Sequence, residues 1–347
     1  MNMKFRLFLL AAVALVLAGC SSETIEYGND QLPDLPKGKV LQVTASFDEP
    51  VGTRGSLEEY GTTIVKTIGF RWDTTDIIQY SFEQDGTKYS NIANVDSVGV
   101  EGKTAFFTVE IPVGIDTESP YTLYGFRSGR WPFKTVGSVL DAGDPTIAIL
   151  PTDQYDYKST LADQAIVFSL WGKKVIEPDM ENISIPFQHF GSMMTLHLKN
   201  VGTTPVTDLH SVALQTNPST NWILNRQNGG GLATFNMATG NYVTLSESTT
   251  LTFFPTDSTI EPDEVQTYYA WFIPKTDYLV GNLRIATLKS PGATMSDATG
   301  ISEGKVINRT MQTGKNYILF SSISVDTTAV PPLPYLVHFT DSTFAIP

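Results

Sequence analysis

The chain has 347 residues and carries 23 basic against 36 acidic side chains, a formal net charge of −13. This acidity excludes nucleic acid as an expected partner, because phosphate backbones repel a negatively charged surface, and it disfavours attraction to anionic head groups. There is a single cysteine, so no disulfide can form within the chain and the core must be held by packing alone. Two domains are the expected arrangement at this length, and the alternative is one large all-β unit.

Residues 1–19 have the pattern of a secretory leader. A basic start precedes an apolar stretch of eleven residues, Leu7 to Leu17, whereas a membrane-spanning helix needs about 20. The stretch ends in Leu17-Ala18-Gly19-Cys20, which resembles the lipobox of bacterial lipoproteins. The sequence therefore predicts export, cleavage between Gly19 and Cys20, and lipid attachment to the Cys20 sulfur. The alternative is an ordinary secretory leader with a chance cysteine.

Residues 20–39 are polar and contain two prolines, which predicts a flexible tether. Behind the tether, segments with an apolar residue at every second position predict half-buried strands. In residues 40–47 the apolar positions are Leu41, Val43, Ala45 and Phe47. Comparable segments lie at residues 104–111, 121–126, 165–170, 193–198, 210–214, 251–254, 267–272, 283–288 and 317–323.

Many short strands separated by turn-forming residues predict an all-β fold built from β-sandwiches. Asp85-Gly86 and Ser290-Pro291-Gly292 are typical of such turns. A polar, proline-containing stretch at residues 173–182 is the predicted seam between two domains. The expected organisation is an N-terminal β-sandwich domain at residues 40–182, a C-terminal β-sandwich domain at residues 183–325, and an extension at residues 326–347.

The extension begins with a proline-rich spacer. Val330-Pro331-Pro332-Leu333-Pro334 breaks regular structure and is expected to run as extended polyproline. The following residues, 335–340, have the composition of a strand. Because an isolated strand leaves its backbone groups unpaired, this terminal strand is expected to pair with another one.

No catalytic or metal-binding pattern stands out. The histidines at positions 189, 197, 210 and 338 occupy no H-E-x-x-H frame. His197 is predicted to point to solvent, since Leu196 and Leu198 on either side of it point inward. No nucleophile elbow, Walker loop or dinucleotide fingerprint is present. The chain is therefore expected not to be an enzyme and to use no cofactor and no metal.

Further motifs extend over the whole chain behind the leader. They are Gly52-Thr53-Arg54, Ile68-Gly69-Phe70, Asp76-Ile77-Ile78, residues 186–200, Ala270-Trp271-Phe272-Ile273-Pro274 and Gly314-Lys315-Asn316-Tyr317. Together with the lipobox, the tether and the early strand, their order and spacing resemble the fimbrillin-like lipoproteins of Bacteroidetes, which build type V pili. The resemblance implies two tandem β-sandwich domains of the transthyretin-like, Greek-key type.

The resemblance also implies how the chain would assemble. In stalk subunits of such pili a trypsin-like protease cuts after an arginine, and the first strand leaves together with the lipidated leader. Arg54 and Gly55, in a polar and glycine-flanked segment expected to be a loop, are the candidate processing site. The alternative is a plain surface arginine in a β-turn.

The groove opened by such a cut would accept an extended segment of another subunit. Tyr335, Val337 and Phe339 are the candidate donor-strand residues, and the alternative is a last strand docked on its own chain. The implied partners are other pilin subunits, the processing protease, and the outer membrane through the lipid on Cys20.

A different class of function is a surface glycan-binding lipoprotein. Aromatic rings can stack on sugars, although they more often fill a sandwich core. The candidate rings are those of Trp72, Trp131, Trp171, Trp222 and Trp271.

Overall fold

The structure, a computed structural model, describes residues 39–46, 54–60, 67–127, 140–149, 158–224, 234–244, 247–290, 295–328 and 335–340. Within these residues the fold is all-β, as the sequence predicts, with several sheets and one short α-helix, α1 (Leu161–Val167). The strands up to the middle of the chain are β1 (Val40–Ser46), β2 (Arg54–Tyr60), β3 (Thr67–Arg71), β4 (Ile77–Gln84), β5 (Thr87–Val98), β6 (Ala105–Glu110), β7 (Tyr121–Arg127), β8 (Ile147–Ile149), β9 (Leu170–Ile176), β10 (Ile183–Pro186) and β11 (Gln188–His189). The later strands are β12 (Ser192–Asn200), β13 (Ser211–Thr216), β14 (Thr234–Asn236), β15 (Asn241–Thr244), β16 (Thr250–Phe253), β17 (Val265–Phe272), β18 (Leu279–Leu288), β19 (Gly300–Ile301), β20 (Lys305–Thr310), β21 (Asn316–Val325) and β22 (Tyr335–Phe339).

The largest sheet has eight strands and forms a near-closed barrel. Its strand order is β10-β1-β6-β5-β4-β7-β9-β11. The two strands at its ends, β10 and β11, are consecutive in the chain with only Phe187 between them, so the two edges of the sheet meet at that residue. Closure of this kind limits the free edges at which another chain could pair.

Two glycines make this closure possible. Gly125 in β7 and Gly172 in β9 lie directly opposite each other. A Cβ atom on Gly172 would lie 2.5 Å from the carbonyl oxygen of Pro186, and one on Gly125 would lie 2.7 Å from Cζ of Phe187. Because neither glycine has a side chain, β10 and Phe187 can cross close over the β7–β9 pair.

We expect Gly172→Ala to lower the free energy of unfolding by about 1–3 kcal/mol, because the added methyl group overpacks against backbone. Gly281→Ala in β18 is the matched control, since no atom lies within 4 Å of a Cβ atom at that position. The control is expected to stay within about 0.5 kcal/mol of the wild type. Urea unfolding measures both values, and equal midpoints for the two variants would contradict the role given to Gly172.

β4 and β5 of this sheet are joined by a tight hairpin turn. Gln84 pairs with Thr87, and the two residues between them, Asp85 and Gly86, have φ angles of 49° and 79°. Two consecutive positive φ angles match the type I′ turn, which aspartate and glycine adopt readily. The turn predicted at Asp85-Gly86 is therefore confirmed.

A second hydrophobic core collects side chains from two further sheets. One sheet has the order β17-β12-β21-β22, and the other has the order β16-β13-β18-β19 with β20 paired to β18. In β12, the side chains of Met194, Leu196 and Leu198 are all fully buried in this core, which confirms the predicted inward face. The inner faces of the two sheets therefore form one shared apolar layer.

A smaller three-stranded sheet packs against the first core. β8 pairs with β14, and β14 pairs with β15. Next to them, the segment around α1 covers the outer edge of β17. The Tyr269 N–H donates to the Ser159 carbonyl oxygen at 2.9 Å, and the Trp271 N–H donates to Oε1 of Gln164 at 2.6 Å. Satisfying these edge donors protects β17 from pairing with another chain.

One predicted strand is wrong. The sequence predicts an extended segment at residues 165–170, but α1 continues to Val167 and β9 starts only at Leu170. The hydroxyl of Thr160 accepts a hydrogen bond from the Asp163 N–H at 3.1 Å, the geometry of a helix N-cap. This cap and the tertiary contacts of Gln164 override the strand propensity of the apolar run.

Candidate strand-exchange site

β1 is an interior strand of the eight-stranded sheet. It pairs antiparallel with β6 on one side and parallel with β10 on the other. Val43 lies opposite both Phe107 and Ile183, and Val43 and Ala45 are 1% and 0% exposed. The alternation predicted for this segment is confirmed within β1, whereas Phe47 lies outside the described residues.

The ends of β1 are also tied into the sheet. The Ile111 N–H donates to the Lys39 carbonyl oxygen, and the Phe187 N–H donates to the Ser46 carbonyl oxygen, each at 2.8 Å. Removal of β1 would therefore leave unpaired backbone groups on both β6 and β10 at once. The resulting groove, lined by donors and acceptors over an opened core, is the kind of site that an extended segment fills by β-augmentation.

The candidate processing residues, Arg54 and Gly55, lie at the start of β2, which pairs antiparallel with β3. The loop expected here is therefore wrong, because β3 supplies backbone partners as far as Arg71, which lies opposite Arg54. A register shift between Arg54 and Leu57 places Gly55 and the next residue in a β-bulge. The bond after Arg54 thus lies in the irregular end of a strand.

The residues that bear on membrane attachment are Gly19 and Cys20, and both lie outside the described residues. Peptidase cleavage and lipid attachment stay predictions from the sequence. In the part of the chain that the structure describes, no helix has the length and apolar character needed to cross a membrane.

The terminal strand predicted at residues 335–340 is present as β22, which pairs antiparallel with β21 of the same chain. Tyr335 and Val337 are 5% and 2% exposed and contribute to the second core, and Phe339 packs against it. Leu336, on the opposite face, is 44% exposed. The three candidate donor residues are thus docked on their own chain, and a donor role requires β22 to leave this position.

Three hydrogen bonds and one close backbone approach fix the start of β22. The Tyr335 hydroxyl donates to the Thr207 carbonyl oxygen at 2.5 Å and accepts from the Thr207 N–H at 3.3 Å. The Tyr335 N–H donates to the Thr299 carbonyl oxygen at 3.0 Å. A Cβ atom on Gly300 would lie 2.8 Å from the Tyr335 carbonyl oxygen. β22 therefore contacts both sheets around the second core.

The tryptophans proposed as sugar platforms are core residues wherever the structure describes them. Trp72, Trp222 and Trp271 are at most 1% exposed, and Trp171 is 8% exposed. A ring that stacks on a sugar has to present a face to solvent, so these side chains do not favour glycan binding. Trp131 lies outside the described residues.

The prediction that His197 points to solvent is wrong. The ring does lie on the opposite face of β12 from Leu196, but it is only 2% exposed. Its Nδ1 atom lies 2.8 Å from Oγ1 of Thr267, and its centroid lies 4.8 Å from that of Phe320. Side chains of the two neighbouring strands cover it. No group of three or more His, Cys, Asp or Glu residues placed to hold a metal ion occurs among the described residues.

The second wall of the groove that removal of β1 would leave is β10, a strand that is not among the predicted ones. Ile183 and Ile185 are 2% and 0% exposed and lie opposite Val43 and Ala45 of β1. The signal was present as a short alternating run, but it follows the predicted seam directly and is only four residues long. A parallel pairing between strands so far apart in sequence cannot be read from local periodicity.

A buried ion pair lies close to the β2–β3 hairpin and was also missed. Arg127 and Asp76 are 2% and 6% exposed, and Nη2 of Arg127 lies 2.8 Å from Oδ1 of Asp76. Nη1 of Arg127 donates to the Phe168 carbonyl oxygen at 2.5 Å. The guanidinium also lies 4.7 Å from the centre of the Phe70 ring. Arg127 therefore connects the end of β7 to β3 and to the segment after α1.

No protein-family model matches the sequence, and no curated protein does. The structure is similar to that of a candidate cell adhesion protein from Bacteroides uniformis, with 14% identity and a TM-score of 0.42 over 90% of this chain and 100% of that one. It is similar to the fimbrial anchor protein Mfa2 from Porphyromonas gingivalis, with 10% identity and a TM-score of 0.40 over 86% of this chain and 95% of that one. It is similar to a fimbrial assembly protein from Parabacteroides distasonis, with 9% identity and a TM-score of 0.35 over 82% of this chain and 90% of that one.

These structural neighbours are cell-adhesion and fimbrial proteins, the group that the sequence motifs resemble. All three TM-scores are below 0.5.

Proposed function

We propose that the chain is a structural subunit of a surface pilus, a fimbrillin-like pilin that is exported as a lipoprotein precursor and assembled by strand exchange. The observation that carries the proposal is the place of β1, an interior strand between β6 and β10 that is followed by a candidate cut at Arg54. Cutting there would release β1 together with the leader and leave a groove. The lipid on Cys20 would carry the precursor to the outer membrane.

The proposal includes two tandem β-sandwich domains of the transthyretin-like, Greek-key type. We place their boundary near residue 190, between β11 and β12 and later than the predicted residue 182, because β10 and β11 belong to the eight-stranded sheet. The support for two domains is the presence of two large hydrophobic cores. The first is built mainly from residues between Val43 and Met193, and the second from residues between Met194 and Val337. The groove left by β1 would lie in the first core, and β22 is docked on the second.

We further propose that β22 leaves β21 and fills the groove of a neighbouring subunit. Its support is a shared pattern, since β22 carries apolar residues at three alternating positions of one face, as β1 does with Leu41, Val43 and Ala45. The partners are thus other pilin subunits and a trypsin-like protease. The proposal assigns the chain no enzymatic reaction and no cofactor.

We expect limited digestion with a trypsin-like protease to give a discrete product that starts at Gly55 and forms ladders on gels, because loss of β1 exposes a groove that only another strand can pair. N-terminal sequencing identifies the product. Arg54→Gln is the control variant, and it is expected to give neither product nor ladder. A wild-type chain that yields no product starting at Gly55, or a product that stays monomeric, would contradict the proposed assembly.

A further inference from the structure

The inward-facing side chains of β1 become smaller along the strand, from Leu41 through Val43 to Ala45. Ala45 lies opposite Ala105 of β6, and both residues are 0% exposed. On its other side Ala45 lies opposite Ile185 of β10, which is also 0% exposed. Because protein interiors are close-packed, a row of this kind has little room for a larger side chain. The groove that β1 occupies is therefore narrow at Ala45.

The β10 wall beside Ala45 is held in place from behind. A Cβ atom on Gly172 would lie 2.7 Å from Cγ2 of Ile185, so the Ile185 side chain already lies close against the backbone of β9. The Phe187 N–H, at the end of β10, donates to the Ser46 carbonyl oxygen at 2.8 Å. A large residue in place of Ala45 is therefore expected to overpack the groove.

The candidate donor strand β22 has one residue that suits this narrow position. Its apolar face carries Tyr335, Val337 and Phe339, and Val337 is the smallest of the three. An aromatic ring at the position of Ala45 would meet Ile185 and the facing alanine of β6. Valine exceeds alanine by only two methyl groups, so Val337 is the residue that this position accepts most readily.

The neighbouring residues also fit when Val337 takes the place of Ala45 and β22 runs in the direction of β1. Leu333 and Phe339 then fall on positions 41 and 47, which are a leucine and a phenylalanine in the sequence. Pro334, which has no N–H, falls on position 42, one residue before the pairing of β1 with β10 begins. Tyr335 falls on position 43 and is the only residue much larger than the one it replaces.

We infer that the narrow position at Ala45 fixes the register in which β22 of a second copy fills the groove, with Val337 in place of Ala45 and β22 antiparallel to β6. The inference rests on the proposed function and specifies how the donor strand is aligned. In this register Leu336 takes the place of Thr44 and lies opposite Phe106 of β6. Leu336 and Phe106 are 44% and 40% exposed, so both can be replaced without a change in either core.

Disulfide cross-linking between two single variants of the full chain determines the register. Leu336→Cys and Phe106→Cys, mixed and digested with the trypsin-like protease, are expected to form a dimer that reduction separates, because residues directly opposite on paired strands lie within reach of a disulfide. His338→Cys with Thr108→Cys is the matched pair and is expected to stay unlinked, because residue 338 takes the place of residue 46, whereas residue 42 lies opposite Thr108. The chain's own cysteine, Cys20, leaves with the cut fragment.

Each cross-linking result decides the register. Links in both pairs would mean that β22 enters in the reverse direction with Tyr335 at the narrow position, and links in neither pair would mean a shifted register. Either result overturns the inference. Absence of any product starting at Gly55 contradicts the proposed function and the register together.

Unfolding of the uncut chain tests the narrow position without any assembly. Ala45→Phe is expected to lower the urea midpoint much more than Ala45→Val does, and Ala45→Leu replaces Ala45→Phe in the comparison if the latter does not fold. Thr44→Phe, one residue away on the outward face, is expected to leave the midpoint nearly unchanged. Equal midpoints for the large and small replacements of Ala45 would overturn the inference, whether or not the chain polymerises.

Discussion

Replacement of Arg127 by Met is expected to lower the free energy of unfolding by about 3–5 kcal/mol, the usual cost of removing one partner of a buried ion pair. The Asp76 carboxylate would stay buried, with the Asp73 N–H at 2.9 Å as a remaining donor to Oδ2. The Phe168 carbonyl oxygen would lose its bond from Nη1 as well. Guanidinium chloride unfolding followed by fluorescence measures the change.

A double-mutant cycle with Asp76→Asn separates the pair from its surroundings. Asn keeps an acceptor for the Asp73 N–H but removes the charge that Arg127 neutralises, so the double variant is expected to be at least about 1 kcal/mol more stable than the sum of the single effects predicts. Strictly additive effects would show that Arg127 acts through its packing on Phe70 and not through the ion pair.

The second large effect is expected in β22. Val337→Asp places a charge in the second core at a residue that is 2% exposed, which we expect to cost about 3 kcal/mol or more. Leu336→Asp is the matched control, one residue away on the face that is 44% exposed at this position. The control is expected to stay within about 0.5 kcal/mol of the wild type. Thermal unfolding compares the two variants directly.

The same pair of variants tests the donor role. If β22 fills the groove of another subunit, the face that carries Tyr335 and Val337 is again the buried one, so Val337→Asp is expected to be cut after Arg54 without forming ladders. Leu336→Asp is expected to form ladders as the wild type does. Ladders of normal length from the Val337→Asp product would contradict a donor role for β22.

Local periodicity predicted much of the strand content. The segments at residues 104–111, 193–198 and 317–323 are strands in the structure, because a short apolar run between turn-forming residues can be recognised without long-range information. The helix at Leu161–Val167 was missed for the opposite reason. Its apolar run fits a strand, and only the cap at Thr160 and the contacts of Gln164 with β17 favour the helix.

The candidate site was predicted in part. Leu41, Val43 and Ala45 were expected on one face, and they are. The sequence did not predict that β10 pairs with β1 on the side opposite β6, because the pairing of Val43 with Ile183 joins residues that are far apart in the chain. Nor did it predict the strand at Arg54, whose partner Arg71 becomes apparent only once the hairpin register is known.

By itself, the sequence determined the all-β class, the alternating faces of β1 and β22, and the acidity of the chain. The leader with Cys20 stays a prediction from the sequence. Tertiary structure alone decided which strands are neighbours, that β1 is an interior strand, and that β22 is docked on its own chain. The physical reason is that alternation fixes which face of a strand is buried, whereas the partner of each strand depends on packing between segments distant in sequence.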